Sequence, residues 1–215
     1  MFSISTFTDG FGPLLWAARY TLLVSGLGIA LGLVLGAVIC IMGMSKSRPA
    51  RVFAALWVSY LRGVPMLVQL LVVFFLLPVI GIDVPAIVAA VGTTAVVASA
   101  YISEIWRGAI NALPKGQAEA AVAIGMAPGD VWRRVILPQA VALSLPALIN
   151  ELILLVKASS LVSVVGIMEI TRASQAQAGT TFRPLEAYLA AACIYLAINL
   201  CLAAIGRYLE HRMAI

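Results

Sequence analysis

Residues 109–137 read AINALPKGQAEAAVAIGMAPGDVWRRVIL, and Pro138 follows. The stretch is too amphipathic to cross a membrane. Glu119, Ala120, Ala121 and Ala123 favour helix, and Gly125 can end that helix or reverse the chain. Pro128, Gly129 and Asp130 read as a turn and a new helix start. The segment therefore predicts two short helices joined at a glycine, a compact knob between two apolar runs.

The flanks are membrane-like. Of 215 residues, 63% are hydrophobic and 11% charged, with mean hydropathy +1.07. A soluble domain is about half apolar and about a quarter charged, so the excess apolar surface requires lipid. Crossing a bilayer takes roughly 20 apolar residues in helix. Five stretches qualify, at 20–44, 53–79, 84–106, 137–165 and 187–205. Helices are required because unpaired backbone groups are too costly in lipid, and no alternating barrel pattern is present. The expected fold is all-α and integral to the membrane. It has five spans, with the 109–137 knob between the third and fourth, in a single domain over 1–215.

The formal charge is +5, from 14 Lys+Arg against 9 Asp+Glu. The cations gather in short gaps rather than on one basic face, which argues against nucleic acid. Lys46, Arg48 and Arg51 follow the first span; Arg107, Lys115, Arg133 and Arg134 follow the third; Arg207 and Arg212 lie in the tail. The gap at 80–85 has no Lys or Arg. The positive-inside rule then puts the N-terminus outside and the C-terminus in the cytoplasm. The first apolar run is too long for a cleavable signal and lacks an A-x-A exit, so it should stay as an anchor.

Within the spans, Gly28, Gly32 and Gly36 recur every fourth residue on one helix face, where another helix can approach closely. The fourth stretch holds Pro138 and Pro146, and a kink or break is expected near Pro146. It also carries Asn150, Glu151, Lys157, Ser159 and Ser160, which a simple anchor does not need. Cys40, Cys193 and Cys201 lie in apolar runs and read as buried small hydrophobes, with no disulfide framework. His211 has no partner cluster, so no metal site is implied.

The 119–138 segment resembles the signature of the inner-membrane permease subunits of bacterial ABC importers. That signature is E-A-A, three residues, Gly, nine residues, Ile, one residue, Leu-Pro. Here it stands as Glu119-Ala120-Ala121, Gly125, Val135, Leu137 and Pro138, with Val135 in place of Ile. Other runs are similar to the polar amino-acid branch. Arg62-Gly63-Val64-Pro65, with Leu67-Val68-Gln69, matches R-G-T-P-x-L-V-Q apart from Val64. Ala100-Tyr101, Glu104-Ile105 and Arg107-Gly108 fit A-Y-x-x-E-I-x-R-G. Leu113 to Gln117 and Lys157-Ala158-Ser159-Ser160-Leu161 also match.

The resemblance implies that the knob is a coupling helix seated in an ATP-binding subunit, through Glu119, Ala120, Ala121, Gly125, Leu137 and Pro138. Small side chains permit close docking, and Glu119 near a helix start would complement the dipole or meet a basic partner residue. No G-x-x-x-x-G-K-[ST] loop is present, so the chain is expected to be no enzyme. It would bind no cofactor or metal itself, with ATP and Mg on the partner. Expected partners are two ATPase subunits, a second permease (identical or paralogous), an external substrate-binding protein, an amino acid and lipid, with no nucleic acid.

A charge at mid-bilayer costs about 2.5–3.5 kcal/mol on translocon scales, so each needs a partner or a wet cavity. Glu151 lies about 20 Å along a helix from Leu137-Pro138, at a rise of about 1.5 Å per residue. Asn150 and Lys157 share a face, while Glu151 is turned by about 100° from it. Glu151, with Asn150, Glu104, Ser159 and Ser160, is the candidate pathway, and Glu151 would receive a cationic side chain. The alternative pairs Glu151 with Arg62 and Glu104 with Arg107. Arg62 and Lys157 would serve the fold or a gate. Rival readings are a methionine or compatible-solute importer of the same family, a passive pore and a membrane-embedded enzyme. The last lacks H-E-x-x-H and G-x-S-x-G.

Overall fold

The computed structural model describes residues 3–213. In chain order the helices are α1 (Ile4–Asp9), α2 (Phe11–Met44), α3 (Arg48–Gly63), α4 (Met66–Val79), α5 (Ala86–Ala112) and α6 (Lys115–Ala123). A three-residue α7 (Pro128–Asp130) and a π-helical turn (Val131–Ile136) lead into α8 (Leu137–Ala158). A 3₁₀ stretch (Ser159–Val165), α9 (Ile170–Thr181) and α10 (Pro184–Met213) complete the chain. Among the described residues there is no strand. Four helical segments among the described residues are long and apolar enough to cross a membrane: 4–44, 86–112, 128–165 and 184–213. The α3–α4 pair makes a fifth when counted as one span.

The centre of the bundle is the α2–α5 pair, packed along most of its length. The glycine face of α2 makes this possible. A Cβ on Gly28 would fall 2.5 Å from Thr94 Cγ2, one on Gly32 2.5 Å from Ala98 Cβ, and one on Gly36 2.9 Å from Ile102 Cγ2. Thr94 and Ser99 turn their hydroxyls back to the carbonyls of Ala90 (2.8 Å) and Val96 (2.6 Å), so the interface buries no unpaired hydroxyl at these two positions.

The second span departs from the expected straight helix over 53–79: α3 and α4 meet at 102°. Pro65 disfavours helical geometry at the residue before it, and Val64 is extended at φ −108°, ψ 131°. Gln69, buried on α4, donates from Nε2 to the carbonyls of Leu61 (3.0 Å) and Val64 (2.8 Å). One amide thus satisfies acceptors that the broken helix leaves open.

In the fourth span the chain does not break at Pro146; α8 runs through it. α5 and α10 both pack on α8, and Ile149 sits where a Cβ on Gly206 would be, 2.6 Å from its Cγ2. That packing holds the proline in a continuous helix. The departures from α geometry flank α8 instead, with the π turn before it and the 3₁₀ stretch after it. The latter closes at Gly166, φ +87°, a left-handed position that costs glycine nothing.

The cysteines differ from expectation. Cys40 is buried, but Cys193 and Cys201 are exposed on α10. An apolar run in a membrane helix can face lipid as readily as protein, and hydrophobicity alone does not distinguish the two.

Candidate functional site: knob and polar pathway

The knob has its own small core. Ala121, Val131 and Ile136 are buried against Ile110, Leu113, Ala118, Met126 and Val135. Pro114 precedes α6 without a side-chain cap. At the other end Gly125 takes φ +83°. Its N–H donates to Val122 O (2.9 Å), and that of Met126 donates to Ala121 O (3.1 Å). This is a Schellman ending, which satisfies carbonyls and reverses the chain.

Two expectations change here. Ala121 points into the knob, so its small size serves internal packing rather than an outer surface. Glu119 lies in the second turn of α6, not the first, so it does not cap the helix. It is exposed with no ion pair among the described residues. Ala120 and Gly125 are exposed, as are Leu137 and Pro138 where the knob joins α8. Sequence reading passed over two residues at the tip, Val122 and Ile124, exposed at 59% and 80%.

The polar residues of the spans separate into two faces. Asn150 and Lys157 are exposed on one side of α8, and Glu151 is buried on another. Ser159 is fully buried and donates to Val156 O (2.7 Å), which seats the start of the 3₁₀ stretch; Ser160 is half-buried. Glu104 is engaged by Arg107 one turn on, through Nε (2.9 Å) and Nη2. The pair borders a cavity of about 500 Å³ between α2, α3 and α5, shared with Arg51, Ser59, Arg62 and Ser103.

Arg62 links the two carboxylates electrostatically. Its charge acts on both Glu104 and Glu151, yet it forms no ion pair with either among the described residues. Its guanidinium instead lies 5.4 Å from the centre of the Tyr101 ring. Glu151 is left buried without a hydrogen-bond or ion-pair partner among the described residues. Such a group in a membrane helix needs a ligand, water or a moving partner.

The family model for binding-protein-dependent transport system inner membrane components matches residues 28–215. The chain belongs to this family. It is 38% identical over 184 residues to the arginine transport system permease protein ArtQ of Bacillus subtilis, covering 85% of this chain and 84% of that one. It is 39% identical over 204 residues to the glutamine transport system permease protein GlnP of Escherichia coli, covering 94% and 93%. A crystal structure of an amino acid ABC transporter with histidines superposes with TM-score 0.92 at 34% identity, over 99% of both chains. An inward-facing methionine transporter, MetNI, shares the fold alone, at TM-score 0.72 and 20% identity.

In this member of the family, one motif residue and a neighbouring pair hold the frame. Gln69 stitches the α3–α4 bend, and Ser99 accepts from Trp57 Nε1 (3.0 Å). A further buried network escaped sequence reading. Glu169 is fully buried and caps α9, accepting from the N–H groups of Thr171 (2.9 Å) and Arg172 (2.7 Å) and from Tyr195 Oη (2.8 Å) on α10. Ile170 N–H donates to Thr21 Oγ1 (3.4 Å) on α2. Burial raises the Glu169 carboxyl above the usual range even against these donors. The one local signal was an acidic residue three positions before Arg172, indistinguishable from a surface charge without the fold.

Proposed function

We propose that this permease forms the translocation pathway of an ATP-driven importer of polar, chiefly basic, amino acids. The observation that carries the reading is Glu151, a buried carboxylate in the C-terminal half of α8 without an ion-pair partner among the described residues. An arginine, lysine or histidine side chain supplies the missing cation, while Arg62, against the Tyr101 ring, serves the fold or a gate. Relatives named for arginine and glutamine, and a neighbour named for an amino acid transporter, support the substrate class.

The exposed tip of α6 docks on an ATPase subunit that binds ATP and Mg, and a second such subunit serves a second permease. An external binding protein delivers the substrate. Nucleotide-driven motion of the ATPases passes through the knob into α5 and α8, opening the pathway alternately to each side. Lys46, Arg48, Arg51, Lys115, Arg133 and Arg134 at the knob end support a cytoplasmic knob with the N-terminus outside, by the positive-inside rule.

The test is Glu151→Gln in the reconstituted transporter, comparing uptake of arginine, lysine and histidine with that of glutamine. Loss of a charge-assisted contact should lower basic uptake by about tenfold or more and spare glutamine. Unchanged selectivity rules the reading out.

A further inference from the structure

At the knob end, a second groove lies outside the polar pathway. It is about 560 Å³ and almost wholly apolar. Ala37 and Ile41 of α2, Trp106 of α5, Trp132 of the π turn, and Ala140 and Val141 of α8 line it. Ile41, Trp132 and Val141 are open to the surroundings, at 69%, 46% and 40%. Its floor is therefore built by four elements while its mouth faces outward. The groove is apolar at the depth where the helices end and cations begin.

The residues that follow the lining in sequence are polar and positive. Ser45 lines the groove, and Lys46 is the next residue. Arg51 sits over both, donating from Nη1 to Ser45 O (3.2 Å) and Lys46 O (3.3 Å). Arg133 adjoins Trp132. Lys46 and Arg133 are exposed and unpaired among the described residues, whereas the acidic neighbour Asp130 is already engaged by Arg134 at 3.3 Å. The indole N–H groups of Trp106 and Trp132 have no acceptor among the described residues, unlike that of Trp57. Apolar floor, free indole donors and adjacent cations match one molecule: an acyl chain below, ester oxygens at the interface and an anionic phosphate above.

We propose that this groove binds an anionic phospholipid, with one acyl chain between α2 and α8 and its phosphate between Lys46 and Arg133. Because Trp132 and Val141 straddle the join of knob and α8, the bound lipid sits against that join. The inference stands whichever amino acid is carried.

The test uses the full chain assembled with its partner subunits in phosphatidylcholine nanodiscs. Phosphatidylglycerol or phosphatidylcholine with brominated acyl chains is added at rising and equal mole fractions. The readout is the quenching that Trp132→Phe removes. Phosphatidylglycerol should quench at a lower mole fraction than phosphatidylcholine. Lys46→Gln and Arg133→Gln should each weaken that preference by about fivefold, as expected for one surface charge. Val141→Trp should fill the groove and abolish it. Native mass spectrometry of the solubilised complex should find phosphatidylglycerol retained, and retained less in the two charge variants, which leave the apolar packing untouched. Equal quenching by both lipids means annular contact only and overturns the proposal. Absence of quenching means a protein partner covers the groove and overturns it too, as does indifference to both charge substitutions.

Discussion

Gly32 of α2 and Ala98 of α5 are so close that a Cβ on the glycine would lie 2.5 Å from the alanine's own Cβ and 3.1 Å from Ala95 O. Such contact needs both helices to yield, and overpacking of this kind costs about 1–3 kcal/mol. Gly32→Ala should lower the thermal unfolding midpoint in detergent. Ala98→Gly in the same chain should recover part of the loss, because the carbonyl contact remains. A double-mutant cycle checks it: simple additivity of the two substitutions contradicts the contact.

The α3–α4 bend depends on Gln69. Replacing it with Leu keeps the volume but orphans the carbonyls of Leu61 and Val64, at about 1–3 kcal/mol for each buried group left unpaired. Gln69→Leu should destabilise the protein by a few kcal/mol, whereas Gln69→Glu should cost less where its carboxyl is protonated and its one O–H still serves one of the two carbonyls, and more where it is ionised and cannot donate. Equal stability of Gln69→Leu and the parent would show that water reaches the bend.

Much of this was legible in the sequence, and the reasons differ by element. Spans declare themselves by composition, and the knob by charge and glycine placement. The Gly28, Gly32 and Gly36 face was legible because spacing alone defines a helix face. The bend at Val64-Pro65 was written in the sequence too, but an apolar run on both sides of it reads as one span. What stayed hidden was pairing between elements. Spacing in the sequence already paired Glu104 with Arg107, one turn apart, and the fold keeps that pair; the pairing it offered for Glu151, with Arg62, does not form among the described residues. Glu169 and Tyr195 are 26 residues apart, and no local pattern joins them.

Glu169 gives a pH prediction. Burial raises its carboxyl above the ordinary value of 4.5, so the folded protein holds that proton more tightly than the unfolded chain. Its contribution to stability is then full below about pH 4.5 and is lost as pH rises through the elevated folded value. Glu169→Gln, which cannot ionise, should remove this slope. Unfolding midpoints of the two proteins, measured across that window, should therefore diverge upward in pH in favour of the glutamine variant. Parallel curves would place the titration elsewhere.

The knob separates shape from contact, and substitutions should divide accordingly. Gly125→Ala forces a left-handed residue to carry a side chain, costing about 1–2 kcal/mol, and Ala121→Leu overfills the small core beneath it. Both should lower stability. Ile124→Ala and Glu119→Ala alter exposed positions and should leave stability within about 0.5 kcal/mol. If the tip is the docking surface, these last two should still weaken co-purification with the ATPase subunit and reduce uptake by about tenfold. Scanning calorimetry paired with a pull-down decides the matter. Intact docking in Ile124→Ala would move the contact away from the tip of α6 and toward Leu137 and Pro138, where the knob meets the membrane.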